Sequence, residues 1–159
     1  MNACSALAAG GGKAFDATQD SAILGDYRIA LRDTASGLKS GPVIADVALR
    51  FPPPDWQPPR YWRPPARLIG TADVWRASQG WDTTGTSRTD VVLRGEILYI
   101  GSYNADLGGT DNLRIERFDE KHFWGRWQEV CGCIRFDPEK HVEIPLGAGD
   151  FCAVRREGA

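Results

Sequence analysis

The sequence predicts an all-β fold, an eight-stranded antiparallel up-and-down barrel, with a two-sheet β-sandwich as the competing architecture. Three observations carry this expectation. Strand-like segments recur roughly every 10 to 20 residues from Gly25 onward, separated by Gly, Pro, Asp or Asn. Within them apolar residues alternate with polar or small ones, the pattern of a strand with one face in a core. No long window sustains the roughly 3.6-residue period of an amphipathic helix, so almost no helix is expected.

The elements follow in order. The first strand runs from Asp26 to Arg32, with Tyr27, Ile29 and Leu31 on one face. The second is Val43 to Phe51, where Val43, Ala45, Val47, Leu49 and Phe51 share a face. Arg67 to Ala77 is the third and Arg88 to Arg94 the fourth; Gly95 turns the chain into a fifth, Glu96 to Tyr103. Residues 104–112 are dense in turn formers. The sixth strand is Leu113 to Phe118, turned by Asp119-Glu120-Lys121. His122 to Phe136 is the seventh, turned by Asp137-Pro138-Glu139, and His141 to Arg155 the eighth, interrupted by Pro145 and Gly147-Ala148-Gly149. Residues 1–22 have little to bury and carry Gly10-Gly11-Gly12, so they read as a flexible tether ahead of one barrel domain at 23–157. Closure into a barrel leaves no sheet edge exposed.

Composition narrows the function. At 159 residues the chain suits one domain with a real core. A net charge of -2 argues against a protein built to neutralise nucleic-acid phosphates. No run of about 18 apolar residues is present, so no transmembrane helix is expected. Phosphate-binding glycine loops, His-Glu-x-x-His and Gly-x-Ser-x-Gly are missing from the sequence, which points to no enzyme class, cofactor or metal. Glu139, His141 and Glu143 share a strand face, the pattern of a solvated face more than of a metal site. His122 falls at a turn, and Asp106, Asp111 and Asn112 lack the full register of a calcium loop.

Residues 52–65 are the most unusual segment. Seven of the fourteen are proline, and Trp56, Tyr61 and Trp62 stand among them with Arg60 and Arg63. Proline cannot donate to a sheet ladder, so the segment is a stiff extended insertion with polyproline II character. Large aromatics and arginine dominate binding hot spots. Trp56, Arg60, Tyr61, Trp62 and Arg63 are therefore candidate partner-binding residues, as a docking arm or a lid over the barrel mouth. The alternative is an arm folded back on its own barrel.

Cys131 and Cys133 share a strand face, and a hairpin of the last two strands brings Cys152 opposite them. A disulfide from Cys152 to one of them is the favoured reading, which points to an oxidising compartment; buried thiols and a metal site are the alternatives. Ala3-Cys4-Ser5 resembles the junction of a bacterial lipoprotein, which implies a lipid on Cys4 and an extracytoplasmic location, periplasmic or outer surface.

The barrel pattern resembles calycins, the lipocalin and avidin group, and similar small bacterial lipoprotein barrels. Gly25-Asp26-Tyr27 stands where lipocalins carry Gly-x-Trp on their first strand, and Arg155 or Arg156 where a basic residue packs over that aromatic. Residues 123–127 and 149–155 read as a closing hairpin of such a barrel. The resemblance implies an interior able to hold an apolar or planar ligand, lined by Tyr27, Trp75, Tyr99, Trp124 and Trp127. Trp124 and Trp127 are three apart, so a regular strand sends one inside and one outside. The leading expectation is a non-catalytic extracytoplasmic binding module, an accessory subunit of a larger membrane-associated assembly. A carrier of a small apolar ligand is the first alternative and an enzyme the second.

Overall fold

The computed structural model describes residues 4, 10–33, 43–57, 66–76, 87–101, 109–131 and 144–157. They form β1 (Lys13–Ala14), a 3-10 helix (Ala17–Ile23), β2 (Gly25–Asp33), β3 (Val43–Arg50), β4 (Leu68–Arg76), β5 (Ser87–Arg94), β6 (Ile97–Ile100), β7 (Gly109–Phe118), β8 (His122–Cys131) and β9 (Ile144–Arg155). Strands β2 to β8 pair each with the next, except that β9 lies between β8 and β2 and so closes the ring. Every pairing is antiparallel. The fold is thus a closed eight-stranded up-and-down barrel with one extra strand, and not a sandwich.

Alternation built the barrel as the sequence pattern implies. Tyr27, Ile29 and Leu31 of β2 and Ala45, Val47 and Leu49 of β3 all belong to the buried core. Their in-between neighbours Arg28 and Asp46 meet on the outer wall at 2.9 Å. Phe51 departs from the expected face. The β3–β4 ladder stops at Arg50 opposite Ile69, and Phe51, one residue beyond it, is 52% exposed. The turn formers at 109–112 also depart from expectation, because each finds a cross-strand partner between Glu129 and Cys131 or at Gln128 and extends β7 backwards.

The N-terminal segment is not a tether over its described part, which corrects the expectation for residues 1–22. Strand β6 ends its pairing with β7 at Ile97 opposite Arg114. β1 takes over that edge, with Ala14 opposite Arg117 and Lys13 opposite Phe118. The Arg117 guanidinium gathers the preceding glycine carbonyls, donating to Gly11 O at 2.5 Å, Gly12 O at 2.7 Å and Gly10 O at 3.5 Å. Phe15 then stacks edge-on against Phe118, and Ile23 is buried. The intervening 3-10 helix is opened by a capping box between Asp16 and Gln19. Its Asp20 carboxylate accepts from Arg67 at 2.9 Å. Burying Phe15 and Ile23 at an otherwise open barrel end is what orders this stretch.

Arg155, and not Arg156, closes the same end. Its guanidinium lies 4.8 Å from the centre of the Tyr27 ring. It donates to Leu24 O at 2.5 Å, Glu120 O at 3.1 Å and Ala22 O at 3.3 Å. Gly25 fits here because its φ is +124° and because a Cβ would stand 2.5 Å from Arg155 Nη1. Arg156 instead pairs with Asp46 on the outer wall at 3.2 Å.

Tyr27 is 1% exposed. Burial pushes its phenol up to about 12, with the Arg155 charge working against this and the Asp119 charge reinforcing it. The folded state therefore favours the neutral phenol. That stability is fully present below the ordinary value of 10.0 and is lost as pH rises towards about 12. Phenolate absorbance is expected to show one of the four tyrosines titrating late. Tyr27→Phe should remove that late step and flatten the fall of the urea midpoint above about pH 10.

The Asp119-Glu120-Lys121 turn joins β7 to β8 and Gly95 joins β5 to β6 at this end. The 3-10 helix and the proline-rich segment after β3 lie there too. The connections 34–42, 77–86, 102–108 and 132–143 join strands at the other end and lie outside the described residues.

Candidate partner-binding cleft

The cleft grows out of the end of β3. Past Arg50 the chain enters Phe51-Pro52-Pro53-Pro54, which cannot continue a ladder. A turn at Pro54-Asp55 reverses it, and Trp56 N donates to Pro53 O at 2.9 Å. The reversal lays half-buried Trp56 beside the outer wall of β4 and β5. Between arm and wall lies a cleft of about 320 Å³. Pro53 and Trp56 form one side, and Ile69 and Val92 the floor. Arg50 and Asp90 stand at its rim, both exposed.

The floor explains an irregularity of the strands. Leu68 and Leu93 face the core, so Ile69 and Val92 face outward, yet they are only 6% and 2% exposed. Outward apolar residues on a barrel need a cover, and here they sit beneath the arm. The signal was in the sequence as the apolar runs Leu68-Ile69 and Val91-Val92-Leu93, which break alternation and mark strands buried on both faces.

The rim charges differ from their neighbours. Arg28 pairs with Asp46, Arg88 with Asp73, Arg114 with Glu96 and Arg32 with Asp150. Arg50 and Asp90 line one cleft with opposite charges and have no ion-pair partner among the described residues. The arrangement can hold an apolar side chain against Trp56 and Pro53 while meeting one charge of each sign at the rim.

The remaining expected site residues scatter. Arg60, Tyr61, Trp62 and Arg63 lie outside the described residues. Of the five aromatics expected to line the interior, Tyr27 and Trp127 are inside, and the Trp127 indole donates to Arg32 O at 3.0 Å. Trp124 and Tyr99 are outside, which corrects their assignment. Tyr99 lies between inward Leu98 and Ile100 and carries the Arg94 guanidinium on its ring at 4.6 Å. Trp124 is buried on the outer wall with Cys4, Cys152 and Val154. Trp75 lies on β4 in register with Ile44.

The cysteines also differ from expectation. Cys152 is bonded to Cys4, with Cα atoms 5.7 Å apart, and not to Cys131 or Cys133. Register gives the reason: Cys152 stands opposite Trp124, while Cys131 stands opposite Ile144 at the far end of the same hairpin. While Cys4 is bonded to Cys152 its sulfur is not available for a thioether lipid. Cys133 lies outside the described residues.

A second hollow of about 590 Å³ lies at the closed end between Gly12, Lys13, Ala22, Phe118, Asp119 and Glu120. Asp119 is a turn anchor: it accepts from the Lys121 and His122 amides at 2.8 and 2.7 Å, and the His122 ring lies 2.9 Å away. Burial opposes its ionised form, but these hydrogen bonds and the His122 charge outweigh burial and hold its carboxyl below the ordinary range. His141, Glu139, Glu143 and Asp106 lie outside the described residues, and Asp111 and Asn112 are strand residues of β7. No group of three or more metal-ligating side chains gathers among the described residues. No described helix is long and apolar enough to cross a membrane.

Comparison of the chain with protein-family models, curated proteins and solved structures finds no match.

Proposed function

We propose that this protein is a non-catalytic extracytoplasmic binding module, an accessory subunit of a larger, membrane-associated assembly. The observation that carries the reading is the Trp56 cleft: a proline-framed turn holding a half-buried tryptophan beside the barrel wall, with charges at the rim. Large aromatics on a stiff frame lose little entropy on binding. The Cys4–Cys152 disulfide supports a location outside the cytoplasm, since such bonds persist in oxidising compartments. A calycin-like relationship is supported by the closed eight-stranded barrel and by Arg155 over Tyr27 beside Gly25.

Native mass spectrometry of the protein gently extracted with its membranes tests this reading. The wild type is expected to co-migrate with other polypeptides. Trp56→Ala is expected to abolish that association at a stability cost of about 1 to 2 kcal/mol, because the ring is only half buried. A much larger stability loss with association intact would make Trp56 a core residue and remove the proposal.

A carrier of a small apolar ligand is the second reading, favoured by a taper in the interior. At the closed end the inward side chains are large: Tyr27, Leu49, Leu68, Leu93, Phe118 and Phe123. Farther up, Ala45 and Ala72 face inward with Trp127, and Gly149 stands opposite Trp127. Small residues at that level are where an aromatic or aliphatic ligand would have to sit, beside Trp127. Quenching of Trp127 fluorescence by an added fatty acid would support it, and an unchanged spectrum at saturating lipid would count against it.

A further inference from the structure

We infer that the hollow at the closed end of the barrel is a binding site for a small zwitterion with an apolar body, the size of an apolar dipeptide. It shares no lining residue with the Trp56 cleft, so it stands or falls separately from the accessory-subunit reading.

The hollow measures about 590 Å³, inside the range of roughly 300 to 1,000 Å³ usual for small-molecule sites. Hydrogen bonds fix each of its walls. Arg117 holds the Gly12 carbonyl at 2.7 Å. Arg155 ties two walls at once, donating from Nε to Glu120 O at 3.1 Å and from Nη2 to Ala22 O at 3.3 Å. Asp119 holds the turn through the Lys121 and His122 amides. The space therefore exists before a ligand arrives, which keeps the ordering cost of binding low. Half-buried Ala22 and the stem of exposed Lys13 offer the apolar contact, and Lys13 stands opposite Phe118 in the β1–β7 ladder.

Charge selects the ligand. Asp119 is already engaged by the turn and by His122, and Lys121 pairs with Glu157. Lys13 and Glu120 line the same hollow, are exposed, and pair neither with each other nor with another described residue. An anion would satisfy Lys13 but be repelled by Glu120, and a cation would meet the reverse. A molecule carrying both charges gives its carboxylate to Lys13 and its ammonium to Glu120. Because the two side chains do not reach each other, termini separated by a peptide unit suit them better than those of a single amino acid.

Titration of the full oxidised chain with the dipeptide Leu-Leu, followed by amide chemical shifts in nuclear magnetic resonance, tests the inference. The shifts are expected to centre on Gly12, Lys13 and Glu120 and to saturate below about 10 mM, a weak small-ligand affinity. N-acetyl-Leu-Leu, which lacks the ammonium, and Leu-Leu amide, which lacks the carboxylate, should each bind about fivefold more weakly. Lys13→Gln should abolish the preference for Leu-Leu over its amide and keep the preference over the acetylated form. Glu120→Gln should do the opposite. Both positions are exposed, and near-ultraviolet circular dichroism confirms the fold of each variant. Trp56→Ala should leave the titration unchanged. Absence of shifts at 10 mM overturns the inference, as do shifts centred elsewhere or equal binding of all three peptides. None of these outcomes touches the accessory-subunit reading, which rests on the polypeptides that co-migrate through Trp56.

Discussion

Gly70→Ala is expected to cost about 4 kcal/mol or to prevent folding. Gly70 lies on β4 opposite Leu49 of β3. A Cβ there would stand 1.6 Å from the Ala48 carbonyl oxygen and 2.8 Å from its carbon. Those atoms belong to a ladder strand, so no side-chain rotation relieves the overlap; β3 and β4 must separate, with loss of barrel hydrogen bonds. Gly125 repeats the situation on β8, where a Cβ would lie 2.0 Å from the Arg114 carbonyl oxygen, beside the bulge between Ile115 and Arg117 of β7. The control is Gly95→Ala. That residue has φ +61°, and nothing lies within 4 Å of an added Cβ. Its cost is backbone strain alone, about 1 kcal/mol. Urea unfolding of the three variants checks this, and a Gly70→Ala midpoint equal to that of Gly95→Ala would show that the strands are not in such close contact.

Much of the barrel was legible because its rule is local. Tyr27-Arg28-Ile29 and Ala45-Asp46-Val47 state the inward and outward faces residue by residue, and closure follows from having enough such strands. Gly70 and Gly125 were not legible as close-contact positions, since each is set by how a neighbouring strand bends. The N-terminal segment was misread for a related reason. Gly10-Gly11-Gly12 is a flexible sequence in isolation, and its carbonyls are held by a guanidinium more than a hundred residues away. Trp56 could be named from composition, but its floor required breaks in alternation at Ile69 and Val92. The Cys152 partner escaped because the sequence places Cys131 and Cys133 nearest in the hairpin, while the pairing register runs Cys152 past Trp124 and out to the strap.

Breaking the Cys4–Cys152 bond is expected to destabilise the protein by up to about 5 kcal/mol. The bond spans a sequence separation of 148 residues and therefore constrains almost the whole unfolded chain. In the chain-entropy model a loop of that length is worth about 5 kcal/mol, and measured losses for native disulfides run from about 2 to 5. The folded state loses contacts as well. Cys4 is 3% exposed and Trp124 6% exposed, and they pack together with Cys152 on the outer wall. A released strap uncovers Trp124, so its emission should shift to the red before the barrel unfolds. Arg117 still holds the Gly10–Gly12 carbonyls and β1 still pairs with β7, which confines the change to the residues ahead of Gly10. A peptide map without reductant should join the Cys4 and Cys152 peptides. Urea unfolding with and without reductant, beside a variant carrying Cys4→Ala and Cys152→Ala, should then give one midpoint for the oxidised protein and a lower, shared midpoint for the other two. A Cys152 joined instead to Cys131 or Cys133 would undo the strap, and with it the packing of Cys4 against Trp124.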